Sequence, residues 1–461
     1  MSILAAYMVP HPPMIVPKIG KGSEKQITKT IHAYEEVADE IAALKPETII
    51  ISSPHSILYA DYFHISPGTD ATGNLGRFGA PQVRFSETYD TELTEKICSI
   101  AKENDFPAGM LGERDKHLDH GTMVPLFFTE QKYRDFKLVR IGLSGLSLAE
   151  HYTFGQMIRR AVEETGRKTV YIASGDLSHK LQEYGPYGFA AEGPEYDQRI
   201  MDVCSRGAFG EMLDFSESFC DKAAECGHRS FVIMAGALDG LEVRARVLSH
   251  EDVTGVGYGI CAFYPGLISE ERRFLTDWRK KQEEALKVRR ENEDQFVKLA
   301  RETIEKYIRA RERSTVPVWA PPEMTERKAG VFVSIHKEGR LRGCIGTILP
   351  VRRSIAEEII SNAISAATGD PRFDPVRPNE LDQLEISVDV LSTPEKIESR
   401  ADLDVKRYGV IVSSGSKRGL LLPNLEGIDT VDEQVEIAMK KGGITPRDRI
   451  TLERFEVIRH T

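Results

Sequence analysis

The sequence predicts an α/β fold for the first part of the chain, a mostly parallel sheet flanked by helices, followed by an α+β domain. Three observations lead there. Short apolar runs alternate with stretches of helical spacing up to about residue 265. Three of those runs end in a break that carries a histidine. Beyond about Glu293 strands and helices no longer alternate regularly.

The clearest run is Pro46-Glu47-Thr48-Ile49-Ile50-Ile51-Ser52-Ser53-Pro54-His55. Three consecutive isoleucines suit a strand covered on both faces, and Pro54, which has no N–H for a sheet ladder, stops it. His55 is thereby expected in a loop just past the strand's carboxyl end, where open α/β sheets place their ligands. Ile3 to Val9 followed by Pro10-His11-Pro12-Pro13 repeats the pattern, as does Thr169 to Ala173 followed by Ser174-Gly175-Asp176-Leu177-Ser178-His179. In one parallel sheet the three carboxyl ends share an edge, so His11, His55 and His179 can converge.

Between these runs, Gly22 to Leu44 has helical spacing and Pro67 to Pro81 reads as loop or hairpin. Thr91 to Asn104 is helical, and His117 and His120 enter a loop ahead of an apolar run to Phe128. Lys137 to Leu143 is a strand and Leu146 to Glu164 a helix. The segment from His179 to Pro194, rich in glycine and tyrosine, reads as a wall or lid. Tyr196 to Met212 is helical, Phe231 to Leu238 is apolar all round and therefore a buried helix, and Val243 to Val247 with Gly257 to Phe263 complete the sheet.

A chain of 461 residues exceeds one ordinary core and divides here into 1–268, a charged helical linker 269–292, and 293–461. The net charge of −10 argues against a general nucleic-acid binder. No run reaches the roughly 18 apolar residues of a membrane span, and Pro10 interrupts the amino-terminal apolar run too early for a signal peptide. Six cysteines without a CxxC pair fit a reduced, cytoplasmic protein.

Two neutral imidazoles and one carboxylate around a metal with open positions form the facial triad of non-heme Fe(II) oxygenases. His11 and His55 supply the imidazoles, and Glu225, just before the buried helix, is the nominated carboxylate. Cys226 beside it is a softer ligand that favours copper or zinc, and the residues alone leave the two neighbours undecided. His179 is then free as a base, with Asp176 to orient its ring and His120 to bind substrate or dioxygen-derived oxygens, Asp119 with His120 being the alternative ligands.

His-Pro-Pro at 11–13, Ser-Pro-His at 53–55, Asp-His-Gly-Thr-Met-Val-Pro-Leu at 119–126 and Gly-Asp-Leu-Ser-His at 175–179 resemble the class III extradiol ring-cleavage dioxygenases, of the protocatechuate 4,5-dioxygenase β-subunit type, and their Memo-like relatives. The resemblance implies Fe(II) on His11, His55 and Glu225, with His179 as the base and His120 close by. It also implies a small aromatic substrate of catechol type. At Glu225-Cys226-Gly227-His228 the chain resembles the Memo-like branch, which places a cysteine at the third metal position.

In the second domain the expected elements are helix Phe296 to Ala310, strands Gly330 to His336 and Leu341 to Ile348, helix Ser354 to Ala367 and strand Leu384 to Leu391. A hairpin from Val410 to Leu422, helix Val431 to Lys440 and strand Thr451 to Ile458 complete it. Leu341-Arg342-Gly343-Cys344-Ile345-Gly346-Thr347 and Asp370-Pro371-Arg372-Phe373-Asp374-Pro375 resemble the AMMECR family. Fusion of the two modules is similar to the AmmeMemoRadiSam system, which implies a radical S-adenosylmethionine enzyme as partner. Cys344 between two glycines reads as a small buried strand residue, with a nucleophile as the alternative, and Arg342 with Arg372 as a candidate anion grip, Arg342 reading equally as a solvated strand residue.

These expectations describe a metal-dependent oxidoreductase acting on a catecholic or related aromatic compound. The competing class is a scaffold whose crevice holds a metal or peptide without turning it over.

Overall fold

A computed structural model describes residues 3–425 and 427–461. It divides into two compact units, the first ending at Arg279 and the second beginning at Lys280.

The first unit is built on a six-stranded sheet in the order Lys137–Gly142, Thr48–Ser53, Thr169–Ser174, Ile3–Val9, Tyr258–Ile268, Leu241–Glu251. The first four strands are parallel and the last two antiparallel. The change of direction follows from the connections. Helices carry the chain back between the parallel strands, whereas the last two strands follow one another through a short turn that allows only antiparallel pairing.

Thr48–Ser53 and Thr169–Ser174 are buried at every position, as the isoleucine run requires. Their side chains alternate between two cores. Ile50, Tyr171 and Ala173 pack with helices Thr91–Glu103, Leu148–Thr165, Glu192–Arg206 and His228–Ala237. Ile49, Ile51, Val170 and Ile172 pack with helices Thr28–Leu44 and His120–Thr129 on the other face. Each fully buried aliphatic side chain contributes about 1.5–3 kcal/mol, so covering both faces holds these central strands at the bottom of two apolar layers.

Local departures from the sequence reading have local causes. The stretch before Thr28 is a 3-10 turn at Ser23–Ile27, and the helix is Thr28–Leu44. The glycine-rich stretch is a hairpin of Asp70–Leu75 and Ala80–Thr88. The apolar run after His120 is itself a helix, started by Asp119, whose carboxylate accepts the Thr122 N–H at 3.0 Å.

The second unit carries a seven-stranded antiparallel sheet in the order Arg340–Gly346, Val331–Lys337, Leu384–Leu391, Thr451–His460, Tyr408–Ser414, Lys417–Leu421, with Glu395–Ile397 paired on Thr451–His460. Helices Gln295–Ala310 and Ile355–Thr368 cover one core, and Val431–Lys441 a smaller one. The three-residue strand Glu395–Ile397 had no apolar alternation to announce it. Arg342 and Arg372 do not form an anion grip. Arg342 donates twice to Glu380, both at 3.0 Å, and Arg372 donates to Asp370 at 2.9 and 2.7 Å, so each guanidinium already has its carboxylate. Cys344 is half-buried, with its N–H donated to Asp370 at 2.9 Å and its sulfur accepting from Ser334 Oγ at 3.2 Å. Among the described residues no helix is long and apolar enough to cross a membrane.

Two helices of the first unit meet backbone to backbone. A Cβ on Gly155 would lie 2.0 Å from the Ile233 carbonyl, and one on Gly236 2.0 Å from the Tyr152 carbonyl. Gly236→Ala therefore has to push Leu148–Thr165 and His228–Ala237 apart, and is expected to cost about 1–3 kcal/mol in urea unfolding. An unchanged midpoint would show that the helices separate freely.

Candidate metal centre

The parallel strands end level with one another, Val9 opposite Ser174 and Ser52 opposite Ala173. His11 and His55 each follow their strand by two residues across a proline, and His179 follows its strand by five. The short tethers fix where the rings fall. The Tyr34 hydroxyl donates to the Pro10 carbonyl, and the His11 N–H donates to Asp176 Oδ1 at 2.7 Å, which pins the first break to the third.

His11 Nε2 lies 3.0 Å from His55 Nε2 and 3.6 Å from Cys226 Sγ. The other nitrogen of His11, Nδ1, is 3.0 Å from Ser174 Oγ, and that hydroxyl donates its proton to the Gly121 carbonyl at 2.6 Å. A hydroxyl has one proton, so Ser174 accepts from His11, which places the imidazole proton on Nδ1 and leaves the Nε2 lone pair facing His55 and Cys226. Gly121 O is open to Ser174 because Pro125, four residues on in the same helix, has no N–H to claim it.

Cys226 reaches the histidines through a close backbone contact. A Cβ on Gly175 would stand 2.0 Å from the Gly227 Cα. With glycine at both positions the loop before His228–Ala237 settles against the end of Thr169–Ser174, and the Asp176 carbonyl accepts the Gly227 N–H at 3.2 Å. Cys226 Sγ accepts the Asp176 N–H at 3.3 Å. The ligand atoms of His11, His55 and Cys226 all lie within 4.8 Å of one another, and so do those of Asp176, His179 and Cys226. Glu225 is outside both groups. Its Oε2 accepts the His228 N–H at 2.6 Å at the start of the buried helix, and burial raises its pKa to about 7.

His179 Nε2 is 3.9 Å from Asp176 Oδ2, a charge contact longer than a hydrogen bond, and this nitrogen is buried without a partner. Tyr187 stacks on the His179 ring at 5.0 Å between centroids. His120 stacks on His55 at 4.0 Å and touches Phe78 at 5.2 Å. His117 is exposed and outside the cluster; its N–H donates to Asp115 Oδ1 at 2.8 Å and its carbonyl accepts from Arg140. Ser174, Phe78, Tyr187 and the paired glycines belong to the site but were not singled out from sequence. Ser174 had a signal as a polar residue closing an otherwise apolar buried run, and Tyr187 lies in the segment read as a wall or lid.

The electrostatics suit a cation. Burial lowers the pKa of His11 well below the usual imidazole range and lowers those of His55 and His179. Burial and then His55 and His11 lower His120 to about 3, and burial raises the Cys226 thiol well above its usual value. The imidazoles are neutral and keep their lone pairs, and a bound cation would draw the proton from the thiol.

A family model described as the catalytic LigB subunit of aromatic ring-opening dioxygenase matches residues 5–261, and one described as AMMECR1 matches residues 297–460. A Clostridium acetobutylicum protein is 41% identical over 468 residues, covering 100% of this chain and 99% of its own length. A Thermotoga maritima protein is 49% identical over 171 residues, covering 36% of this chain and 98% of its own. The crystal structure of an uncharacterized Pyrococcus horikoshii protein shares 34% identity, covers 36% of this chain and 88% of its own, and has a TM-score of 0.34.

Ser174→Ala removes the group that sets the His11 tautomer while leaving every candidate ligand in place. Metal affinity measured by competition with a chromophoric chelator is expected to fall about 10–100-fold with the circular dichroism spectrum unchanged. Wild-type affinity in this variant would show that the hydroxyl does not orient the ring.

Proposed function

The chain belongs to the family of the catalytic LigB subunit of aromatic ring-opening dioxygenase and carries an AMMECR1 domain, and from that premise we propose that it is a metal-dependent oxidoreductase acting on a catecholic or related aromatic compound. The observation that carries the proposal is the convergence of His11 Nε2, His55 Nε2 and Cys226 Sγ beside the unpartnered nitrogen of His179. The two nitrogens, 3.0 Å apart, are close enough that His11 and His55 would hold one ion between them. In this reading Cys226 takes the third position, which the sequence had also offered to Glu225.

A divalent ion held by these residues supplies a Lewis-acid position for the paired hydroxyl oxygens of the substrate, iron being the family's expectation and zinc or copper the preference of the thiolate. The protein's own groups do the rest. His179 accepts a substrate hydroxyl proton at Nε2, and the carboxylate of Asp176, 3.9 Å away, stabilises the imidazolium that forms. The rings of His120, Phe78 and Tyr187 line the surroundings with flat surfaces that suit an aromatic ring.

Metal analysis after anaerobic purification is the first test. Wild type is expected to hold near-stoichiometric metal and His11→Ala with His55→Ala to lose it. Metal in neither protein would end the oxidoreductase reading. With metal in place, oxygen uptake is expected with catecholic substrates and to fall at least about 100-fold in His179→Ala.

The pH dependence has a defined sign. His179 must be unprotonated to act as a base, and burial holds its pKa below the ordinary imidazole value of about 6.5. Activity is therefore retained at neutral pH and lost as pH falls through that lowered value. An acid limb at or above pH 6.5, or one unchanged in His179→Ala, would assign the base elsewhere.

Cys226 favours a second reading, a scaffold that binds a soft metal without turnover. Stoichiometric metal with no oxygen uptake across aromatic substrates would select it. For either reading, a radical S-adenosylmethionine enzyme is the proposed partner, on the strength of the fused modules. Co-purification of such an enzyme from the native host checks this.

A further inference from the structure

We propose that the crevice holds two metal ions bridged by Cys226, the second bound by Asp176 and His179. This rests on the reading of His11, His55 and Cys226 as the first metal site. The two three-residue groups share only Cys226, and each keeps its ligand atoms within 4.8 Å of one another. A thiolate has lone pairs for two cations, and Cys226 Sγ stands where the two groups overlap.

The second group has the features of a site beyond mere proximity. His179 Nε2 is buried and has no hydrogen-bond partner, a cost that a bound cation removes. Asp176 uses Oδ1 to accept the His11 N–H at 2.7 Å, while Oδ2 is the oxygen that faces His179 at 3.9 Å. That separation is too long for a hydrogen bond and leaves room for an ion between the two atoms. One nitrogen, one carboxylate oxygen and one thiolate form a donor set for zinc or another borderline divalent ion, with the remaining position open.

Charge orders the two events. The first divalent ion meets neutral imidazoles and a thiolate, whereas the second enters beside a cation, so it binds at least about tenfold more weakly. The second ion also occupies the nitrogen that accepts the substrate proton. The one-ion form keeps His179 as a base and the two-ion form does not, which makes excess zinc an inhibitor by direct occupation of the base.

The test is titration of the full-length, metal-stripped protein with Zn2+ by calorimetry, with bound metal counted by elemental analysis. Co2+ is titrated in parallel to read the thiolate charge-transfer absorption. Wild type is expected to take up two ions in two steps, the cobalt–thiolate band growing in both. His179→Gln and, separately, Asp176→Asn, whose amide oxygen can still accept the His11 N–H, are expected to take up one ion, with first-step affinity within about threefold of wild type. A single ion in wild type, with none lost in either variant, overturns the proposal and leaves the first site standing. Two ions persisting in both variants also overturns it, because the second ion then lies elsewhere. No ion in wild type removes the first site and this proposal together.

Discussion

The registry of three neighbouring parallel strands is the constraint on which the rest of the site depends. Val9 lies opposite Ser174, and Ser52 opposite Ala173, so the strands stop at one level and their breaks open on the same side. In a parallel sheet a strand's carboxyl end presents the start of the next loop, and here each loop starts with a proline or glycine that releases the backbone at once. A one-residue slip in any of the three would turn its side chains to the opposite face and carry its histidine away from the others. Burial on both faces makes such a slip expensive, because each alternate residue belongs to a different apolar core.

That registry sets buried His11 and Asp176 beside half-buried His179 and Cys226 and exposed His55, and the buried members show in their bonding the cost of leaving water. His11 has Nδ1 bonded to Ser174 and its backbone N–H to Asp176, while Nε2 faces His55 and Cys226. Ser174 passes its single proton to a carbonyl that a helix proline has left open. His179 is the member of the cluster whose buried nitrogen is left without a hydrogen-bond partner, a cost that a ligand at that atom would remove. The same burial that neutralises the histidines and the thiol makes the cluster receptive to a cation.

Much of this was legible in the sequence. Apolar runs of strand length, each ended by proline or glycine, located the parallel strands, and the histidine within each break located the crevice edge. In the second unit the longer helices and strands also announced themselves by periodicity, whereas helix Pro322–Glu326 and strand Glu395–Ile397 did not. Arg342 and Arg372 illustrate the limit of reading charge without partners. Glu380 and Asp370, which engage them, are unremarkable in the sequence until the fold brings them alongside.

The sequence by itself determined the layered α/β and α+β architecture, because strand burial and helical periodicity are properties of short windows. It also determined that His11, His55 and His179 would gather, because each lies within a few residues of a strand end. Only the tertiary structure decided which of two adjacent residues joins them. Glu225 turns to the free N–H of His228 and Cys226 turns to the histidines, a choice made by the glycine contact that seats one loop against another. The ring proton of His11 was decided in the same way, by a serine 163 residues away in sequence whose hydroxyl faces a carbonyl freed by a proline. Contacts of that range leave no trace in local composition.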